Sequence, residues 1–382
     1  MSKGGLKETS VRIRSCRASE RDSRIMIDVI TRFTDSVRAA SAARTPLCIR
    51  GSGSKDFYGN ACAGDLLDTR THAGIVDYEP SELVVTARCG TPLSALEAAL
   101  AAKGQMLAFE PPHFGAGATV GGMLAAGLSG PRRQAAGPLR DFVLGMKVMD
   151  GRGDVLSFGG RVMKNVAGYD VSRLMAGSLG TLGLILEASL KTLPMPVMEA
   201  TLRFELPEER AIETLNRWGG QPLPLSASAW HGNELHVRLS GAAAAVSAAL
   251  AKLGGERLGA DEAGQVWADL RDQTHPFFQG AAPLWRLAVP STLPSQALEA
   301  LPGHRLVEWG GGLRWLATHA DAQAVRDAAS KAGGHATLFR GTDKSCGTFH
   351  PLPPAMMTLH RRLKLTFDPQ GVFNPGRLYA GL

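Results

Sequence analysis

Three glycine-rich stretches hold the residues best suited to chemistry in this 382-residue chain. The first is Arg50-Gly51-Ser52-Gly53-Ser54-Lys55, directly after the apolar run Pro46-Leu47-Cys48-Ile49. The second runs from Glu110 to Arg133 and carries Gly115, Gly117, Gly121, Gly122 and Gly127; the third runs from Lys164 to Ala188. Backbone without side chains can approach a ligand closely, and its N–H groups can converge on an anion. Three such turns suit a long ligand with a diphosphate in its middle. Two common phosphate motifs are excluded. A G-x-G-x-x-G fingerprint starting at Gly115 meets Val120 where its third glycine should stand, and no Gly-Lys pair exists to make a P-loop.

Composition narrows the field. Apolar residues make up 44% of the chain and charged residues 20%, the profile of a globular protein large enough for two domains. The net charge of +7 suits anionic ligands or an acidic partner surface. Scattered basic residues and an aromatic content of 6% argue against nucleic acid. Cys16, Cys48, Cys62, Cys89 and Cys346 are odd in number and form no C-x-x-C pair, which supports neither a metal centre nor a disulfide framework. Reduced thiols in a cytoplasmic protein are the expectation. The polar N-terminus, residues 1–27, has no apolar signal core and is expected to be flexible; no apolar run reaches the ~20 residues of a membrane span.

The elements that must position these turns follow from pattern. A helix is expected over Asp22 to Ala43, then a strand into Arg50, then strands near Gly74 and Leu83. Thr91-Pro92 reads as the cap and first turn of a helix carrying Leu93, Leu96 and Leu100. Phe142 to Met149 and Asp154 to Phe158 read as a hairpin, and Leu182 to Leu193 as a closing strand. Past Pro194-Met195-Pro196 the texture changes to alternating strands (from Thr201, Glu234, Leu284 and Arg314) with alanine-rich helices such as Ala242 to Leu253. The fold class expected is α+β, with an antiparallel-sheet cap domain carrying helices on one face. The divisions expected are 28–195, a cap over 196–347, and a C-terminal segment, 348–382, that returns to the first domain through a helix at Ala355 to Leu365.

The order of the motifs resembles the FAD-binding domain of the vanillyl-alcohol oxidase and p-cresol methylhydroxylase family, and more narrowly the FAD-binding subunits of bacterial glycolate oxidases. The residues that carry the resemblance are IRGSGS at Ile49 to Ser54, TVGGMLA at Thr119 to Ala125, GPLRD at Gly137 to Asp141, GTLGLI at Gly180 to Ile185, and the tail from Asp368 to Arg377. The narrower likeness rests on ARCGTPLSALEAAL, GPRR, KNVAGYD, GGLRWL and GGHATLFR. It implies a two-lobed FAD-binding domain of the p-cresol methylhydroxylase type. It implies that FAD is held by Arg50, Gly51, Ser52, Gly53, Ser54 and Lys55, with Pro112, Thr119, Val120, Gly121, Gly122, Ala125 and Gly127. Arg140, Asp141, Gly180, Thr181, Gly183, Ile185 and Asn374 complete the implied set. Asn165 and Tyr169 are candidates to reach the ring system. The first turn lacks the histidine that covalent members place there, so the flavin is expected to be held non-covalently. Leu179 stands where the hydroxy-acid branch shows glutamate.

Oxidation of a 2-hydroxy acid needs a base, a cation for the carboxylate, and the α-carbon against the flavin. The resemblance implies glycolate as substrate and glyoxylate as product, an FAD-dependent oxidoreductase acting on CH–OH groups. It also implies two partners, a paralogous catalytic flavoprotein and an iron–sulfur subunit, through which any membrane association would arise. The His-x-Gly-Asp-Gly-Asn-x-His stretch of the catalytic subunits is absent here. The nearest substitutes are His335 as base and Arg340 or Arg314 as anchor, although a lone strand histidine is more often structural. The catalytic residues are left unassigned, and no metal site is expected. A supporting subunit, a free-standing oxidoreductase for another alcohol or hydroxy acid, and a flavin-free scaffold remain the alternatives.

Overall fold

The computed structural model describes residues 20–160 and 170–382, with side chains of the first helix from residue 28 onward. Helix α1 (Glu20–Ala43) leads into β1 (Leu47–Arg50), which pairs in parallel with β2 (Asp65–Asp68). Then come β3 (Ile75–Glu79), β4 (Val84–Arg88), α2 (Leu93–Ala101), β5 (Gln105–Met106), α3 (Val120–Ala126) and α4 (Arg133–Ala136). The expected hairpin forms as β6 (Val143–Met149) and β7 (Val155–Gly159), and after α5 (Val171–Met175) come β8 (Leu184–Lys191) and β9 (Leu193–Pro194). The antiparallel sheet runs β3-β4-β8-β6-β7, so the strand expected to close the layer lies at its centre. Its position follows from its pattern: Leu184, Ile185, Leu186, Ala188 and Leu190 are all buried, as a strand covered on both faces requires.

One face of this sheet packs under α2 and α3 through Leu93, Leu96, Leu100, Val120, Met123 and Leu124. The other face receives α1, whose Val29, Phe33, Val37 and Ala40 recur at helical spacing against Met149, Leu184 and Leu186. The cap proposed for Thr91 is not made. Pro92 is the N-cap of α2, and the Thr91 hydroxyl instead pairs with the backbone N–H and C=O of Gly74, fixing the turn before β4.

The second half builds an eight-stranded, wholly antiparallel sheet, twice the four strands expected. Its elements in chain order are β10 (Met198–Glu205), α6 (Glu208–Gly219), β11 (Leu225–His231), β12 (Glu234–Gly241), α7 (Ala243–Leu253), β13 (Glu256–Arg257) and α8 (Ala260–Asp272). They continue with β14 (Leu284–Ala288), β15 (His304–Glu308), β16 (Leu313–Ala317), α9 (Ala322–Lys331) and β17 (His335–Arg340). Alternation decides the faces. In β12, Leu235, Val237 and Leu239 face α6 and α7, while Arg238 and Ser240 face the first layer. Helices α6, α7 and α9 cover the outer face as expected; α8 lies on the inner one, where Trp267 and Leu270 pack with Leu306 and Trp315.

The last helix, α10 (Pro354–Phe367), delivers a tail that threads back beside β1. Asp368 is fully buried and accepts from the Val372 and Phe373 N–H groups and from Lys364 Nζ, which also donates to the carbonyls of Thr181 and Phe373. This clamp fixes Asn374, whose carboxamide bridges the Ile49 N–H (2.7 Å) and the Leu179 carbonyl (2.7 Å). The tail therefore joins the first glycine turn to the third.

Candidate functional site

β1 ends at Arg50 because Gly51 and Gly53 break the strand, Gly53 at φ +81°, a region closed to most side chains. The resulting turn opens into a cavity of about 410 Å³ lined by Arg50, Gly51, Ser52, Gly53, Ser54 and Lys55 on one side and by Thr119, Gly122 and Ala125 of the α3 region on another. A smaller cavity of about 60 Å³ continues it inward along Gly121, Gly180, Gly183 and Ile185. Asn374 and Leu179 line both.

The donors are unevenly placed. Among the described residues, the N–H groups of Gly51, Ser52, Gly53 and Lys55 donate to no protein acceptor, whereas those of Val120, Gly121 and Gly122 are engaged by Thr91 O, Cys89 O and Thr119 Oγ1. The start of α3, expected to contribute N–H groups to a diphosphate, is thus committed internally, and the first turn carries the available donors. Four N–H groups without a protein acceptor, on a turn that lines an open cavity, supply donors of the kind a diphosphate needs. The Ser52 and Ser54 hydroxyls lie on the same turn.

Several glycines read as ligand contacts answer to protein packing. A Cβ on Gly121 would sit 2.8 Å from Cys89 Cβ, and one on Gly183 would sit 2.6 Å from Val148 Cγ1. The other expected residues stand outside both cavities. Val120 is core; Gly127 is the left-handed cap of α3; Thr181 is buried, its hydroxyl on the Ser178 carbonyl. Pro112 lines a separate crevice with Phe114 and Trp309, and Arg140 and Asp141 form an exposed, loose pair (3.8 Å). Asn165 and Tyr169 lie outside the described residues.

The cavity also has walls that the sequence did not signal. Cys48 of β1, Leu66 of β2, Ala61 and Cys62 of the 57–64 loop and Arg377 of the tail help complete it. Burial, and then the neighbouring Cys48 thiol, push Cys62 up to about 12, and burial pushes Cys89 up to about 12, so these two thiols add no charge to the site. Leu179 makes the wall apolar where glutamate was the family expectation.

The substitutes for a hydroxy-acid site do not converge. Arg314 is 1% exposed on the outer side, tied to Glu208 and to the carbonyls of Gly311 and Leu293. Arg340 faces inward on Gln273 and the Phe57 ring, and His335 is exposed at the start of β17. Trp285, Trp309 and Trp315 are core residues, and the guanidinium groups of Arg133 and Arg286 each lie over the Trp309 ring.

Known proteins can now be set beside this geometry. A family model described as an FAD binding domain matches residues 31–159. The "Glycolate oxidase subunit GlcE" of Escherichia coli (strain K12) is 49% identical over 348 residues, covering 91% of this chain and 97% of that protein. The "Glycolate oxidase subunit GlcD" of Bacillus subtilis (strain 168) is 34% identical over 165 residues, 42% of this chain and 35% of its own. Among solved structures, p-cresol methylhydroxylase with substrate bound superposes with a TM-score of 0.68 at 16% identity, over 92% of this chain and 87% of that one, a likeness of fold.

Proposed function

Because the chain belongs to the family of the glycolate oxidase subunit GlcE, we propose that it is the FAD-binding subunit of a complex that oxidises glycolate to glyoxylate. Its cofactor is FAD and its fold is of the p-cresol methylhydroxylase type. The observation that carries the reading is the nest of four free N–H groups at residues 51–53 and 55, opening on the 410 Å³ cavity.

Bound there, FAD would supply an acceptor for a hydride and a route for its electrons. The chain's own residues bind and orient. The 50–55 turn holds the diphosphate, with Ser52, Ser54 and Thr119 adding hydroxyls. Gly121, Gly122, Ala125, Gly180, Gly183 and Ile185 form a slot whose small side chains leave space, and Asn374 fixes the distance between its two walls. Val120, Gly127 and Thr181 support this slot from behind. Residues 28–195 would be the FAD-binding domain, 196–347 the cap, and 348–382 the clamp between them. Attachment is non-covalent, since residues 51–55 include no histidine.

Substrate turnover is assigned to a paralogous flavoprotein partner of the GlcD kind, and onward electron transfer to an iron–sulfur subunit. The dispersal of Arg314, His335 and Arg340 supports this division, because a base and a carboxylate anchor must share one pocket. No helix among the described residues is long and apolar enough to cross a membrane, so membrane contact would come through partners. The test is a visible spectrum of the purified chain before and after anaerobic glycolate. Flavin absorbance that persists is the expected result. Rapid bleaching would overturn the supporting role, and a colourless chain that takes up no added FAD would overturn the flavin reading.

A further inference from the structure

Helix α10 turns most of its surface to solvent, and it carries apolar and cationic side chains there together. Nine large apolar side chains are exposed among the described residues, and three of them, Met356 (44%), Leu359 (49%) and Leu365 (61%), stand on this one helix. Arg361 and Arg362 are exposed beside them, and neither makes an ion pair or a side-chain hydrogen bond among the described residues. Pro354 to Phe367 holds no aspartate or glutamate, and Asp368, which follows, is fully buried and bonded to Lys364. The opposite side of the helix is anchored. Phe367 and Leu363 pack on the core of the first layer, and Lys364 clamps the tail. The exposed face therefore rides on a fixed element, and a partner that meets it has little ordering cost to overcome.

Spacing decides the kind of partner. Leu359 and Arg362 are i,i+3 neighbours and Arg361 and Leu365 i,i+4 neighbours, so apolar and cationic side chains interleave over one arc. A helix that lies on a lipid surface segregates the two onto opposite faces. Methionine and arginine mixed with aliphatic residues suit a protein–protein contact, and unpaired guanidinium groups call for carboxylates opposite them. The net charge of +7 draws the chain toward such an acidic surface. Position points to the same kind of partner. The His360 ring packs edge-on against Tyr379, 6.1 Å between centres, and Tyr379 stands close after Arg377, which lines the larger cavity. A subunit seated on α10 is thus next to the segment that walls the cavity, a placement that an acceptor of the flavin's electrons requires.

We infer that the exposed face of α10 docks this chain on an acidic face of the iron–sulfur subunit, with Met356, Leu359 and Leu365 meeting apolar residues and Arg361 and Arg362 meeting carboxylates; this rests on the complex-subunit reading above. The test titrates the full-length chain, as purified and carrying a fluorescent label, with the purified iron–sulfur subunit and, separately, with the purified paralogous flavoprotein. Wild type is expected to bind the iron–sulfur subunit and to weaken as salt rises from about 50 to about 500 mM. Leu359→Glu should lose on the order of tenfold or more in affinity, the scale of one central contact. The double variant Arg361→Gln, Arg362→Gln should lose a similar factor at the lower salt, and with it most of the salt dependence. Both variants should keep the wild-type melt and flavin content, since these side chains are exposed and outside the cavity. Should L359E melt early, the double arginine variant decides in its place. The inference is overturned if the variants bind the iron–sulfur subunit as wild type does, if wild type binds the flavoprotein alone, or if the variants weaken only that contact. A loss confined to binding of phosphatidylglycerol vesicles would overturn it too, and give the face to lipid. A wild-type chain that binds neither subunit would instead sink the complex-subunit reading.

Discussion

At the scale of single residues, the inner face of the cap sheet buries one carboxyl that no cation pairs directly. Glu308, at the end of β15, is 4% exposed and accepts a hydrogen bond from Trp315 Nε1 at 2.6 Å; burial pushes its carboxyl up to about 7. An unfolded glutamate titrates near about 4.3. The folded state therefore prefers the protonated form, so the stabilisation is complete below the unfolded value and is lost as pH rises through about 7. Between about pH 4.5 and pH 7.5 this one group should cost the wild type on the order of 3 kcal/mol. Glu308→Gln keeps an acceptor for Trp315 and removes the ionisation, so its urea midpoint should be nearly flat over that interval and exceed the wild-type midpoint at the upper end. Parallel curves for the two proteins would show that Glu308 is already ionised at low pH.

At the scale of elements, α3 is held by close approach more than by side-chain mass. Gly121 N–H donates to Cys89 O at 2.7 Å, and a Cβ at this position would meet Cys89 Cβ at 2.8 Å and Cys89 O at 3.0 Å. Gly121→Ala must therefore push the helix off the turn after β4 or bend that turn. The expected cost is about 1–3 kcal/mol, the usual range for overpacking, and FAD affinity should fall with it because Gly122 and Ala125 ride on the same helix. A thermal melt and an FAD titration check both; an unchanged melt would mean that the turn after β4 yields freely. The same element shows what the sequence can reveal. The glycines around the turn after β6 marked the hairpin of β6 and β7, whereas the short helix α3 that follows Thr119 was read only as a glycine-rich ligand turn. Which N–H groups are free was not legible, since that depends on Thr91 and Cys89 lying across the turn. Strands β11 and β15 also went unread. β11 is largely serine and alanine, without the β-branched residues that mark a strand, and β15 follows a loop of prolines and small residues. The cavity wall from Cys62 and Arg377 was invisible for a similar reason: it is set by the returning tail meeting the 57–64 loop, a contact between residues more than three hundred positions apart.

At the scale of the whole molecule, the two halves must be held in register if a partner bound to one is to act on a flavin held by the other. The structure fixes them with a buried charge network. Glu110, on the loop before α3, accepts from Arg238 of β12 at 2.8 Å and from Arg132, which also reaches Glu199 of β10 at 2.5 Å. Arg238 continues to the Ser226 hydroxyl at 3.1 Å and lies 4.9 Å from the centre of the Trp267 ring on α8. These groups are 6–18% exposed for Arg238, Arg132 and Glu110, so the pairs are little screened by solvent. Glu199 is more open, and its carboxyl is still held below the ordinary glutamate value by the charge of Arg132, working against burial. Arg238→Met keeps much of the arginine's length while leaving Glu110 with one cation in place of two and removing one of the bonds to the Ser226 hydroxyl. Breaking one side of a buried pair in this way costs about 3–5 kcal/mol. The loss should fall on the junction of the sheets, so hydrogen exchange ought to speed up first in β10 and β12 and along residues 107–112, while the five-stranded layer under α2 keeps its protection. Uniform acceleration across both sheets would mean that the halves unfold as one cooperative unit and that the network sets their stability together rather than their alignment.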